Sequence, residues 1–334
     1  MKKIILLFMI IMSLNTWAQV FSGTNAGQFL KIEVGAKAIG MGGAFVSLAN
    51  DASSVYWNPA GISRLEGSAA SFSHNYWIAD TKHDFAAIIL KLGSMHAIAL
   101  SYTSLSMADM KVRSEFFPEG TGEFFSAGDF ALGLSYGLSL TDHFSIGFTA
   151  KYIGENIWHM SASTFAFDLG VIYITPIEGL QLGMSIANVG GNMKFEGSDS
   201  FVNYTFDPLQ SGNNQKLYAD LKMDQWELPM FFRFGISMKI LNTETNSIIL
   251  SADANHPNDY SESINTGIQY GFRERVFLRA GYKSLFKKES QEGLTAGVGL
   301  VYYITEFIPI KVDYAYADFG ILNQVHRISV EIGF

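Results

Sequence analysis

The stretch Phe130-Ala131-Leu132-Gly133-Leu134-Ser135-Tyr136-Gly137-Leu138-Ser139-Leu140 decides the fold. Its large apolar residues fall on every second position, and Ala, Gly and Ser fill the others. A period of two marks a strand with two unlike faces. The pattern repeats in Phe144, Ile146, Phe148, Ala150 and Tyr152 against Ser145, Gly147, Thr149 and Lys151. It repeats again in Phe165, Phe167, Leu169, Val171 and Tyr173, and later in Met230, Phe232, Phe234, Ile236, Met238 and Ile240. The chain ends on Ile328, Val330, Ile332 and Phe334 against Arg327, Ser329, Glu331 and Gly333. A soluble sandwich alternates too, but its large residues must fit a core shared by two sheets. Here one whole face is large and the other is small with scattered charge, which is the lipid-out, lumen-in pattern of a membrane barrel. An open sheet edge is prohibitive in hydrocarbon, so the sheet must close.

The predicted fold class is therefore all-β, a transmembrane antiparallel β-barrel of about 14 strands. The strands are expected over 68–79, 83–92, 95–105, 128–140, 143–155, 163–174, 179–188, 228–241, 246–255, 262–272, 275–285, 292–304, 308–317 and 325–334. Every second connection is short, as at Gly93-Ser94, Thr141-Asp142 and Arg273-Glu274. The others are mostly longer: 106–127, 156–162, 189–227, 256–261, 286–291 and 318–324. Short periplasmic turns alternating with longer external loops follow the bacterial barrel rule and put both termini on the periplasmic side. In the first two strands Asp84, Ile89 and Lys91 fit neither parity cleanly.

Composition agrees with this reading. Charged residues are 16% of the 334, against about 25% in ordinary soluble domains. No stretch beyond the N-terminus is apolar for the ~18 residues that a membrane helix needs. Met1-Lys2-Lys3, the apolar run Ile4 to Met12 and Thr16-Trp17-Ala18 read as a signal peptide over 1–18. Net charge is −8, and losing Lys2 and Lys3 leaves 21 basic against 31 acidic residues, or −10. That balance speaks against a nucleic-acid partner. There are no cysteines, which excludes disulfides, thiolate catalysis, cysteine-held metal and a lipid-anchored lipoprotein.

Residues 19–66 differ from the barrel, residues 67–334. They are Gly-rich and aperiodic, with Gly35-Ala36-Lys37-Ala38-Ile39-Gly40-Met41-Gly42-Gly43-Ala44 and Asn58-Pro59-Ala60-Gly61. A barrel of this size has a lumen wide enough to need filling or to conduct. Small residues suit a hatch threaded inside and packed against lumen Gly and Ser. The expected hatch residues are Gly40, Gly42, Gly43, Asn58, Pro59, Ala60 and Gly61.

These strings, with Phe29-Leu30-Lys31-Ile32 and Asn50-Asp51-Ala52-Ser53-Ser54-Val55-Tyr56-Trp57, resemble the PorV/PorQ family within the FadL-like group of outer-membrane transporters. The resemblance implies a fourteen-stranded barrel with an N-terminal hatch, located in the outer membrane of Bacteroidota. It implies work in type IX protein secretion, in which exported proteins are received and passed to a surface attachment machinery. The expected partners are outer-membrane lipid, that machinery and its cargo. The alternative implied by the wider group is a channel for hydrophobic small molecules.

Chemical motifs are weak. Gly133-Leu134-Ser135-Tyr136-Gly137 matches a nucleophile elbow, but Ser135 sits in mid-strand rather than on a strand-to-helix turn. The histidines at 74, 83, 96, 143, 159, 256 and 326 show no metal spacing, and those at strand ends read as wet interface residues. Gly40, Gly42 and Gly43 lack the strand and helix of a phosphate loop. No enzyme, cofactor or metal is expected. Lys151, Asp168, Arg233, Lys239, Asp253, Arg279, Lys283, Lys311, Asp313, Arg327 and Glu331 are expected in the lumen, paired with each other or with the hatch. Tyr152, Trp158, Tyr173, Tyr282, Tyr302, Tyr314 and Tyr316 suit interface girdles. Phe334 closes a terminal strand of the kind read by barrel-assembly machinery.

Overall fold

The computed structural model describes residues 23–204, 217–287, 290–305 and 308–334. The expected signal peptide lies outside them. The barrel strands are β1 (Ala69–Tyr76), β2 (Lys82–Leu92), β3 (His96–Ser106), β4 (Ala127–Ser139), β5 (Phe144–Ile157), β6 (Met160–Ile174) and β7 (Leu180–Gly190). They continue as β8 (Phe231–Asn242), β9 (Asn246–Pro257), β10 (Ser263–Phe272), β11 (Val276–Leu285), β12 (Leu294–Thr305), β13 (Ile308–Asp318) and β14 (Gln324–Gly333). Each pairs antiparallel with the next, and β14 returns to β1 with Ala69 opposite Gly333 and Asn75 opposite Arg327. The result is a closed fourteen-stranded barrel, so no strand edge is left unpaired.

Alternation sets the faces. Leu134 is 62% exposed while the adjacent Ser135 is 1% exposed, because one points outward and the other into the lumen. The girdle residues Tyr152, Trp158, Tyr173, Tyr282, Tyr302 and Tyr314 all lie exposed. Among the described residues no helix is long and apolar enough to cross a membrane; strands make the crossing.

The first hairpin resolves its unclear parity. His83, Phe85, Ala87 and Ile89 face inward and are buried, so Asp84 faces outward. There its carboxylate meets His74 Nδ1 at 2.6 Å from the neighbouring strand. The strand expected to run to 79 ends at Tyr76, because Ala79 and Asp80 adopt positive φ of 59° and 57° and turn the chain. Trp77 then packs edge-on against Phe319 at 5.2 Å. Two connections differ from expectation. The loop expected over 156–162 is a two-residue turn at Trp158-His159, with Trp158 at φ 51°. The long loops carry strands of their own: Met110–Lys111 pairs with Phe124–Phe125, and Phe201–Tyr204 pairs with Leu217–Asp220.

Candidate functional site

Residues 28–64 fill the lumen. A 3-10 turn (Gln28–Lys31) leads to α1 (Ala36–Gly40), α2 (Ser54–Trp57) and a second 3-10 turn (Pro59–Arg64). The segment is too short and too Gly-rich to hold helices alone. Its shape comes from the wall. Met41 and Ala60 are fully buried, and Trp57 is nearly so. Trp57 donates its Nε1 to the Val34 carbonyl at 3.0 Å and meets Phe45 edge-on at 6.2 Å.

Glycine on the wall is what allows this approach. A Cβ on Gly147 would overlap the backbone of Pro59 and Ala60, and one on Gly137 or Gly170 would strike the same turn. Gly267, Gly281 and Gly297 form a second bed, beneath residues 40–42. Gly42 and Gly43 take positive φ of 69° and 73°, which glycine adopts without strain. Gly61 lies directly against Ala49 within the segment. The small-residue face of the strands is therefore a seat shaped for backbone.

Hydrogen bonds fix the seat. Asn58 is fully buried; its Nδ2 donates to Val46 O at 2.9 Å and to Val171 O at 3.0 Å, and its Oδ1 accepts from Ala60 N at 3.2 Å. One side chain thus joins two parts of the segment to the wall, and Pro59 pre-sets the following turn. Wall acceptors take segment N–H groups: Ser329 from Ala36 at 2.8 Å, Asp253 from Val46 at 2.8 Å, Glu331 from Ala52 at 2.7 Å and Glu155 from Gly27 at 2.7 Å. We expect Asn58→Ala to destabilise the barrel by about 2–4 kcal/mol, because it leaves buried carbonyls unpaired. Urea unfolding in micelles reads this; a change under about 1 kcal/mol would contradict it.

The lumen charges are mostly matched. Lys151 pairs with Asp168 at 2.6 Å, Arg279 with Asp313 at 2.5 Å and Lys311 with Glu331 at 2.8 Å. Lys283 takes both Glu33 and Glu292, at 2.9 and 2.8 Å. Glu292 lies in the β11–β12 connection. Burial alone would raise its carboxyl, but Lys283 and a 2.6 Å bond from Ser284 overturn that and hold it at about 2. Lys31 of the segment pairs with Asp259. The Arg233 guanidinium lies over the rings of Tyr56, Trp57 and Phe231, 4.8 to 5.4 Å from their centroids. Lys239 lines the vestibule at the short-turn end. Arg327 forms no ion pair among the described residues.

Sequence reading missed Glu33, Glu155, Asn188, Asp259 and the burial of His83. The strand-end histidine at 83, expected in a wet interface, is 2% exposed and faces the lumen. Ser135 Oγ lies 2.8 Å from Thr149 Oγ1, and no histidine is hydrogen-bonded to it among the described residues. No group of three metal-ligating side chains exists among the described residues. Phe334 donates its N–H to Ser68 O at 2.9 Å and leaves its ring exposed.

Spaces flank the filled layer at both ends. At the loop end a cavity of about 330 Å³ is walled by Phe29, Ile32, Trp77, Leu105, Phe319 and Val325. At the short-turn end a vestibule of about 580 Å³ is lined by Arg64, Lys239, Tyr303 and Phe334. They share no lining residue.

The sequence matches the family model of the type IX secretion system protein PorV over residues 17–207, more than half of the 334. No curated protein matches it significantly. Solved structures share the fold. The monoaromatic hydrocarbon channel CymD aligns with TM-score 0.59 and 15% identity over 91% of this chain and 98% of its own. A Pseudomonas aeruginosa FadL homologue gives 0.56 and 11% over 90% and 98%. The Ralstonia pickettii toluene transporter TbuX gives 0.55 and 13%, also over 90% and 98%.

Proposed function

The chain belongs to the family of the type IX secretion system protein PorV, and from that premise we propose a plugged, non-enzymatic outer-membrane barrel acting in protein secretion or surface delivery. The observation that carries the reading is the filled lumen. A pore would need a continuous wet path, whereas residues 36–63 are almost entirely buried against the wall. A barrel filled in this way acts by binding at its ends. Its N-terminal segment serves as a fixed hatch, and the leader on residues 1–18 directs export.

The binding surface is the external crown. Phe116, Tyr218, Phe286 and Ile321 are each more than 80% exposed, on four different connections. Large apolar side chains held out in water on several neighbouring connections offer anchors that another protein can cover. The partners are components of the secretion or attachment machinery and the exported proteins they carry. Affinity purification of the full chain from native outer membrane tests this. Enrichment of secretion components or exported cargo is expected; their absence would overturn the reading.

The cavity at the loop end favours a second reading, a channel for hydrophobic small molecules. Its volume is at the small end of the range for ligand sites. Every barrel strand pairs with both of its neighbours, which weighs against passage through the wall. Uptake of a labelled hydrophobic compound by cells with and without the protein separates the two readings.

A further inference from the structure

Beside the cavity at the loop end the barrel wall carries a polar row that lacks hydrogen-bond partners among the described residues. Arg327 on β14 stands opposite Asn75 on β1, and Asn75 stands opposite His83 on β2, which stands opposite Leu105 on β3. All four point into the lumen, as their strand parity requires. Arg327 and Leu105 line the cavity; Asn75 and His83 stand in register between them, next to its lining rather than in it. Directly opposed side chains have Cβ atoms about 4.5–5.5 Å apart, so the polar three act as one surface.

This row is buried and unsatisfied. Asn75, His83 and Arg327 are 1, 2 and 3% exposed. Arg327 Nε and Nη1, both polar atoms of the Asn75 amide, and His83 Nε2 have no hydrogen-bond partner among the described residues. A buried polar atom without a partner costs about 1–3 kcal/mol, and more when charged. The other cations of the lining are engaged, Lys31 with Asp259 and Lys283 with Glu33 and Glu292. The cavity therefore offers the Arg327 guanidinium without an ion pair, beside the paired charges of Lys31, Glu33, Lys283 and Glu292 and the apolar side chains of Phe29, Ile32, Trp77 and Phe319.

We propose that this cavity binds a compact apolar acid, its carboxylate on Arg327 beside Asn75 and His83, its body against Phe29, Trp77 and Phe319. A volume near 330 Å³ holds about ten water-sized groups, which limits the body to a single ring or a short branched chain. A carboxylate satisfies donors that a plain hydrocarbon would leave buried and unpaired. The inference deepens the small-molecule reading by naming the ligand class. It requires only that the cavity bind, not that anything cross the barrel, so failed uptake leaves it standing.

The test is a titration of the purified full chain in micelles with hydrocinnamate, its methyl ester and propylbenzene. Saturable binding of the acid at least tenfold tighter than the ester is expected. Arg327→Met should weaken the acid by about tenfold to a hundredfold, the loss of a charge-assisted hydrogen bond, and leave the ester unchanged. Phe319→Ala, in the connection beyond β13, should weaken both. Should Arg327→Met fail to assemble, the wild-type preference for acid over ester decides alone. A short peptide ending in phenylalanine, free or amidated, separates the sources of the carboxylate. Binding of hydrocinnamate alone assigns the site to free acids; binding of the free but not the amidated peptide extends it to chain ends. Absent saturation by any acid, or equal affinity for acid and ester, would overturn the proposal.

Discussion

Gly147→Val should drive the hatch from its seat. The added Cβ would overlap the backbone of Pro59 and Ala60, which cannot rotate away as a side chain tip can. Overpacking of this kind costs about 1–3 kcal/mol by itself. Moving the turn also breaks the Asn58 bonds to Val46 and Val171, at about 0.5–1.5 kcal/mol each. The sum, about 2–6 kcal/mol, is large enough to favour a displaced hatch within an intact wall. Protease added to solubilised barrel should then cut within residues 36–63 at least tenfold faster than in the parent. Gly128→Val is the control. A Cβ there meets only Leu105 O at an ordinary 3.5 Å, so no change is expected. Equal protection of the Gly147 variant and the parent would mean that the seat is not shaped by glycine.

The second large effect concerns assembly. Deleting Phe334 removes one backbone hydrogen bond to Ser68 and one exposed ring. The finished barrel should lose about 1 kcal/mol. On the proposal that assembly machinery reads this residue, its level in the outer membrane should nevertheless fall about tenfold. Immunoblotting of outer-membrane fractions measures this, with micelle unfolding of the surviving protein as the stability control. Unchanged levels would remove Phe334 from any recognition role.

The barrel was legible because its signal is local. Leu134 beside Ser135 already states which face meets lipid, and the same statement recurs in strand after strand. The seat was half legible. Gly137, Gly147 and Gly170 announce a small lumen face, and Asn58-Pro59 announces a turn, but their meeting depends on folding the chain through the barrel. The polar row was not legible. Arg327 meets Asn75 only because the last strand closes on the first, a separation of 252 positions that no period reveals. His83 stands one residue inside its strand, where a wet end was expected. It stands between Asn75 and Leu105 on the lumen face and is buried there. Trp158-His159 misled in the opposite sense. Positive φ at a tryptophan lets two residues do what seven were expected to do, and propensity gives no warning of it.

The N-terminal segment of the chain closes its own lumen. Current through single barrels in a planar bilayer tests that most directly, with the purified full chain and the Gly147→Val variant measured side by side. The intact chain should carry no steady current, and the variant should open conducting levels. A steady, ohmic current through the intact chain would contradict the plugged barrel and return the protein to the class of open pores.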